Sequence, residues 1–509
     1  SVNVGSNNRN ATWMDQLGIS PAHHEHLNWG TMGAANTPWK SNGAFGAKLD
    51  ASGNPLTRFH ILDNLKFASG GTESTSPIAS SCKVWKTGTT TGSSASDSNC
   101  AVKDRTGVVN LRPALAADRT TLATQTGLTA ASIQNKYTWG GCVEARPYPY
   151  NLQDDAPSTS VPSTYFVPMF APDEYNNDRY GVTSSTAVTG SSAGEANPEN
   201  NWWPDSHPTA ARTITTSGYN YFTSADSTNT TWETTTGRGR LIDATKYYNE
   251  TPYLLGSSSS ASSTSSSNVR KGQWHYFKAD AGPNRGCTTT AITPLTGTES
   301  TIIAAIEALQ PTGNTNVTEG LAWGWRTISK ALPFDEGVAE TNRSVDKVII
   351  VFTDGANTYS QLSTAADYAQ TKSSYAAYGY TGWNNDTTTT ATATQTNGSN
   401  KARIYRGTNV TATNFNASNY SSAMIQQMGL LCTNVKATDR VLLMTVALDL
   451  DPADSTDVNM MNALKSCAGD SRSRNESDGT PKKMYWNACT RNVSDGSCTT
   501  LEDTFIQIK

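Results

Sequence analysis

Charge is scarce in this 509-residue chain: Asp, Glu, Lys and Arg make up 16% of it and sum to a formal net charge of -4. A chain without a basic footprint has little with which to neutralise phosphates, so nucleic acid is not an expected partner. Long apolar runs are also missing. None approaches the roughly 20 residues that a helix needs to cross a bilayer, and Ser1 is followed by no signal-like segment. The cysteines form no C-x-x-C and stand at no zinc-like spacing from histidine. There is no internal repeat.

What is abundant is Ser, Thr, Asn and Gly, the composition of an exported surface. The 13 Trp and 20 Tyr argue for a packed core instead of disorder. The length allows more than one domain. The cysteine count is even, at eight, which predicts four disulfides made in an oxidising compartment. Locality suggests Cys82 with Cys100 and Cys489 with Cys498; Cys142 and Cys287 then staple the middle, and Cys432 pairs with Cys467. The connectivity itself is open in the sequence.

Residues 291–509 have an α/β rhythm. Ile302, Ile303, Ile306 and Leu309 share one helical face, and Val317, Leu321, Trp325, Ile328 and Leu332 mark a second helix. The run Val348 to Phe352 reads as a strand. A helix with Met424, Met428, Leu431 and Val435 follows, then the strand VLLMTV (441–446), a short helix through Met461 and Leu464, and a last helix with Leu501, Phe505 and Ile508. Helices alternating with continuous apolar strands predict a mostly parallel sheet with helices on both faces. Residues 5–290, rich in Gly, Pro, Asn and aromatics, predict loops and short strands, with GSSSSASSTSSSN (256–268) as a linker or exposed loop. A polar excursion, 357–420, follows the 348–352 strand.

The strand 348–352 runs straight into Thr353-Asp354-Gly355. Forty residues earlier, GNTNVTEGL (313–321) offers a tight turn at Gly313 and Asn314 and places Thr315 at a helix start. A hydroxyl from one crevice loop and a carboxylate from a neighbouring strand end are oxygen ligands suited to a hard cation, Mg²⁺ or Ca²⁺.

This pairing resembles the metal-ion-dependent adhesion site of von Willebrand factor A domains, with Thr315 and Asp354 matching its Thr and its T-D-G Asp. The third element, D-x-S-x-S after a first strand, has no counterpart. DGSCT (495–499) and DASGN (50–54) follow no apolar strand. Further blocks are similar to the TadG-like pilus-assembly proteins of bacterial tight-adherence (Flp/Tad) systems. They are SVNVGSNNRNATWMD at the start, WGGCVEARPYPY (139–150), YFVPMFAPDE (165–174), GPNRGC (282–287), PLTGTES (294–300), GNTNVTEGLAWGWRTIS (313–329), the LLCTNVKA region (430–437), SCAGD (466–470) and LEDTFIQIK (501–509). They occur in one order over nearly the whole chain. The resemblance implies a von Willebrand A-like, Rossmann-type α/β fold interrupted by a large, disulfide-braced insertion. Residues 1–4 would be an edge-strand remnant of the A-type domain, 5–290 the irregular or β-rich insertion, and 291–509 the α/β domain with a polar insertion at 357–420. It also implies a membrane helix and the missing Asp/Ser motif upstream of Ser1.

Other motifs weigh less. HHEH (23–26) lacks the H-E-x-x-H spacing of a zinc site, and GSSAG (190–194) lacks the strand and helix that a nucleophilic Ser192 would need. DEYNND (173–178) and DLDPADSTD (449–457) lack calcium-loop spacing. Trp202, Trp203 and Trp383 could stack on sugars. The expected function is that of a non-enzymatic bacterial cell-envelope, surface or extracellular protein, acting in pilus assembly or pilus-linked adhesion through pilus or envelope proteins or an external surface. The alternative is a carbohydrate-binding adhesin that uses those tryptophans. Alkylating the denatured chain should label no cysteine before reduction and all eight after it, as read by intact mass.

Overall fold

The computed structural model describes residues 1–25, 27, 55–63, 139–172, 200, 244, 282–310, 313–361, 372–381, 402–412, 414–490 and 498–508, with the backbone of 102–103 and 108–109. The strands are β1 (Val2–Asn3), β2 (Val102–Lys103), β3 (Val108–Val109), β4 (Cys142–Val143), β5 (Lys347–Thr353), β6 (Val441–Leu448), β7 (Asp470–Asn475), β8 (Pro481–Lys483), β9 (Tyr485–Cys489) and β10 (Thr499–Thr500). The helices are α1 (Pro21–His24), α2 (Arg58–Asp63), α3 (Glu299–Glu307), α4 (Val317–Ile328), α5 (Ala417–Ala437), α6 (Ser455–Cys467) and α7 (Leu501–Ile508).

The apolar runs at 348 and 441 pair in parallel, Lys347 opposite Val441 through Thr353 opposite Ala447. Together with β9 and β10 they make a four-stranded parallel sheet in the order β10-β9-β6-β5. Parallel neighbours need crossovers, and α5 and α6 supply them. Ile349, Val351, Leu443 and Ala447 point to one face and pack against Leu321 and Trp325 of α4, Leu431 and Val435 of α5, and Leu464 of α6. The Cys432–Cys467 disulfide ties α5 to α6 within that core, and Cys142–Cys287 and Cys489–Cys498 are also formed, three of the four expected pairs. Cys82 and Cys100 lie outside the described residues.

On the other face α7 covers Met444, Val446 and Trp486 with Leu501 and Ile508. Helices therefore lie on both sides of the sheet, but the cover stops short of β5. Its side chains alternate, with Ile349 and Val351 buried while Val348, Ile350 and Phe352 are 43%, 46% and 46% exposed. The apolar run predicts burial on both faces, and the structure corrects this. With eight residues, α7 is only about 12 Å long. Where it meets β5, the Phe505 ring is stacked 6.4 Å from Phe352. A similar correction applies to α3. Ile302, Ile303 and Ile306 share a face as their spacing predicts, yet all three are exposed and the helix has no buried residue.

Among the described residues before 290, several pack into the same cores as the sheet half. β1 pairs antiparallel with β4, so residues 2–3 lie off the four-stranded sheet at whose edge they were expected. Trp13 and Phe166 stack edge-on at 5.7 Å, and Phe166 lies 4.9 Å from Trp323 of α4. Helix α4 thus buries Leu321 and Trp325 toward the sheet and Trp323 toward the preceding segments. Leu152 sits in the sheet core itself. Described residues of the excursion after Asp354 are also core: Tyr359, Tyr378, Tyr405 and Tyr420 pack with Ile404 and Met424. The linker 256–268 lies outside the described residues.

One carboxylate joins these parts. Glu144, fully buried beside β4, accepts hydrogen bonds from Arg58, from Tyr375, and from Arg403 at 2.5 Å. Burial pushes its carboxyl up, but Arg58 and Arg403 outweigh that and hold it below the usual range. Removing one charge of such a set strands the others. Glu144→Gln should therefore lower the free energy of unfolding by about 3–5 kcal/mol in a urea titration.

Candidate functional site

The loops at the C-terminal end of the sheet are closed by side chains on backbone. After β5, the Thr353 hydroxyl donates to the Gly355 carbonyl (2.9 Å) and accepts from the Gly355 N–H (3.3 Å). This turn leaves Asp354 at an exposed tip. The facing loop begins at Gly313, whose φ of 78° suits glycine and where a Cβ would lie 2.8 Å from the Thr288 hydroxyl. Asn316 then caps α4, its side chain accepting the Glu319 N–H at 3.0 Å.

Four hydrogen bonds clasp the two loops, the outermost from the Asn314 side-chain amide to the Ser360 hydroxyl. Thr358 N–H donates to the Thr315 carbonyl (2.9 Å), and Thr315 N–H donates to the Thr358 hydroxyl (3.0 Å). The first N–H of α4, on Val317, donates to the buried Asn357 side chain at 2.8 Å. Thr315 and the Asp354 turn are thereby brought side by side, so close that a Cβ on Gly355 would sit 3.3 Å from the Thr315 hydroxyl. One turn into α4, Glu319 is buried; burial raises its carboxyl above the ordinary range, against the pull of Arg326.

As a cation site the pair is incomplete. A divalent cation of this hard type takes six or more oxygens, whereas Thr315 and Asp354 offer one hydroxyl and one carboxylate. Among the described residues no group of three or more His, Cys, Asp or Glu could hold a metal. His23 of HHEH is buried against Asp15, 3.2 Å away. The carboxylates of 449–457 serve the backbone: Asp454 caps α6 through the Thr456 and Asp457 N–H groups, and Asp449 accepts the Thr490 N–H. Ser192, residues 173–178 and the tryptophans Trp202, Trp203 and Trp383 lie outside the described residues.

Beside the loop pair, a groove of about 400 Å³ runs between α4 and β5. Its walls include Val2, Ile292, Trp323, Ile328, Val348 and Ile350, and no charged side chain lines it. Gly320 and Gly324 present bare backbone to it. Among the described residues β5 pairs only with β6, so its other edge of backbone N–H and C=O groups borders the groove. An uncharged groove beside a strand edge that has no partner among the described residues suits an extended apolar segment, bound through main-chain hydrogen bonds.

Of the residues that build this end of the sheet, Thr315 and Asp354 stand out in the sequence. Asn316 carries a readable signal, the N-x-x-E spacing of a capped helix start. Asn357 and Thr358 do not, because their partners are some forty residues away in the chain. Asn357→Ala should cost about 1–3 kcal/mol by stranding the buried Val317 N–H, measured by chemical unfolding, and should speed amide exchange at 314–317. No family model matches the chain, and neither a curated protein nor a solved structure is significantly similar to it.

Proposed function

We propose that this chain is a non-enzymatic protein of the bacterial cell envelope or surface. In this reading it acts by binding protein at the uncovered side of its sheet, in assembly of a tight-adherence pilus or in adhesion through one. The observation that carries the reading is β5. A strand with Val348, Ile350 and Phe352 exposed on one face, an edge unpaired among the described residues and an uncharged groove beside it is a surface made to be covered. Three disulfides fit an oxidising compartment, and among the described residues no helix is long and apolar enough to cross a membrane.

The finer fold belongs to the same proposal. In a von Willebrand A-type arrangement, Thr315 and Asp354 are two of the three elements of a cation-dependent adhesion site. Mg²⁺ or Ca²⁺ would need further oxygens beyond this pair, supplied by the bound partner, so the chain alone should show no saturable cation binding below about 1 mM.

The test is Ile350→Asp. Its side chain is already 46% exposed, so stability should change by less than about 1 kcal/mol. In a host deleted for its own copy, this variant should fail to restore pilus assembly and surface attachment where the unaltered chain restores both. Full restoration by the variant would refute the reading.

A further inference from the structure

We propose that His23 is an acid-sensitive latch: charging its imidazole releases the packed segments 15–25 and 55–63 from the Glu144 cluster. The inference is independent of how the sheet edge is used.

The geometry admits only one protonation state. His23 is fully buried, and its Nε2 accepts the Arg58 backbone N–H at 2.7 Å. An accepting Nε2 carries no proton, so the ring hydrogen is on Nδ1, which faces Asp15 Oδ2 at 3.2 Å. Asp15 is fixed in turn by the N–H groups of Ile19 (3.0 Å) and Ser20 (2.8 Å). A second ring proton would set N–H against N–H at Arg58 and place a new cation beside that residue's guanidinium.

Arg58 is what makes this consequential. Its Nε donates to the His23 carbonyl (3.1 Å) and its Nη2 to the carbonyls of Ala22 (2.8 Å) and Glu25 (3.1 Å), while its Nη1 serves Glu144 and the Pro168 carbonyl. Glu144 also holds Tyr375 and Arg403, and Arg403 reaches Glu25 at 2.5 Å. Displacing the Arg58 backbone therefore pulls one guanidinium out of a shared set of charges. The charged groups that act on His23 are Asp15, Arg58 and Glu144.

Burial holds the His23 imidazole below its ordinary value, outweighing the pull of Asp15. A folded state that binds its proton less readily than the open state is fully latched above the open-state pKa, about 6.5, and loses the latch as pH falls below it. Opening should become more favourable as pH falls below that value, by up to about tenfold per pH unit for as long as the closed-state ring stays neutral. Asp15 and Glu144 are both held below the usual carboxylate range, so they keep their charge through this window.

The experiment is amide hydrogen exchange by mass spectrometry on peptides covering 15–25 and 55–63, corrected for intrinsic rates, between pH 7.0 and 4.5. The unaltered protein should show opening that rises as pH falls through this range. His23→Gln, which keeps an acceptor for Arg58 N–H but cannot titrate, should stay flat. An equal rise in both, or no rise in the unaltered protein, overturns the proposal. Should His23→Gln fail to fold, the ring resonances of His23 in the unaltered protein decide: they must stay neutral, with the proton on Nδ1, at pH 5.5 while the segment is closed. A closed-state titration near the ordinary histidine value overturns the latch.

Discussion

A carboxylate stripped of water needs its counter-charges in place, and Glu144 is where this chain meets that demand. Arg58, Tyr375 and Arg403 all donate to it, from positions 86, 231 and 259 residues away. The short helix α2, strand β4, the tyrosine core after Asp354 and the segment ahead of α5 therefore share one electrostatic joint. Few of these pieces have enough regular structure to stand alone. They hold their places because each brings a charge or a hydroxyl that would otherwise be buried without a partner.

Helix α4 transmits that order to the sheet. Trp323 stacks on Phe166 among the irregular segments, while Leu321 and Trp325 pack on Ile349 and Val351. The amino end of the helix is pinned by Asn357 and Asn316. The Thr315 loop is thus placed from two sides, by the aromatic cluster behind it and by the Asp354 loop in front. On the far side of the helix the walls part, and the groove along β5 is left without charge and without cover. A strand edge unpaired among the described residues, beside an uncharged groove, is what peptide-binding sheets use.

Periodicity carried the sheet half of the molecule well. The runs at 348 and 441 became β5 and β6, and the helical spacing of Met424, Met428, Leu431 and Val435 became the buried side of α5. It misjudged β5 because an apolar run has the same composition whether two layers or one lie against it. It misjudged the stretch after Asp354 for the opposite reason: tyrosines spaced among Ser, Thr and Gly look like a polar loop until their rings meet. Neither the β7–β8 hairpin, nearly all exposed, nor the pinning role of Asn357 left a pattern along the chain.

Local features are legible along the chain: which runs form strands and helices, where Gly313 turns the backbone, and that the cysteines are of the kind that pair. Those depend on backbone preference and on spacing within a few residues. Only the tertiary structure decided which face of β5 stays bare, that Thr315 and Asp354 lie in clasped loops, and that His23 must be neutral beside Arg58. Each of these is set by a partner tens to hundreds of residues away, and burial strength and hydrogen-bond direction have no meaning until that partner arrives.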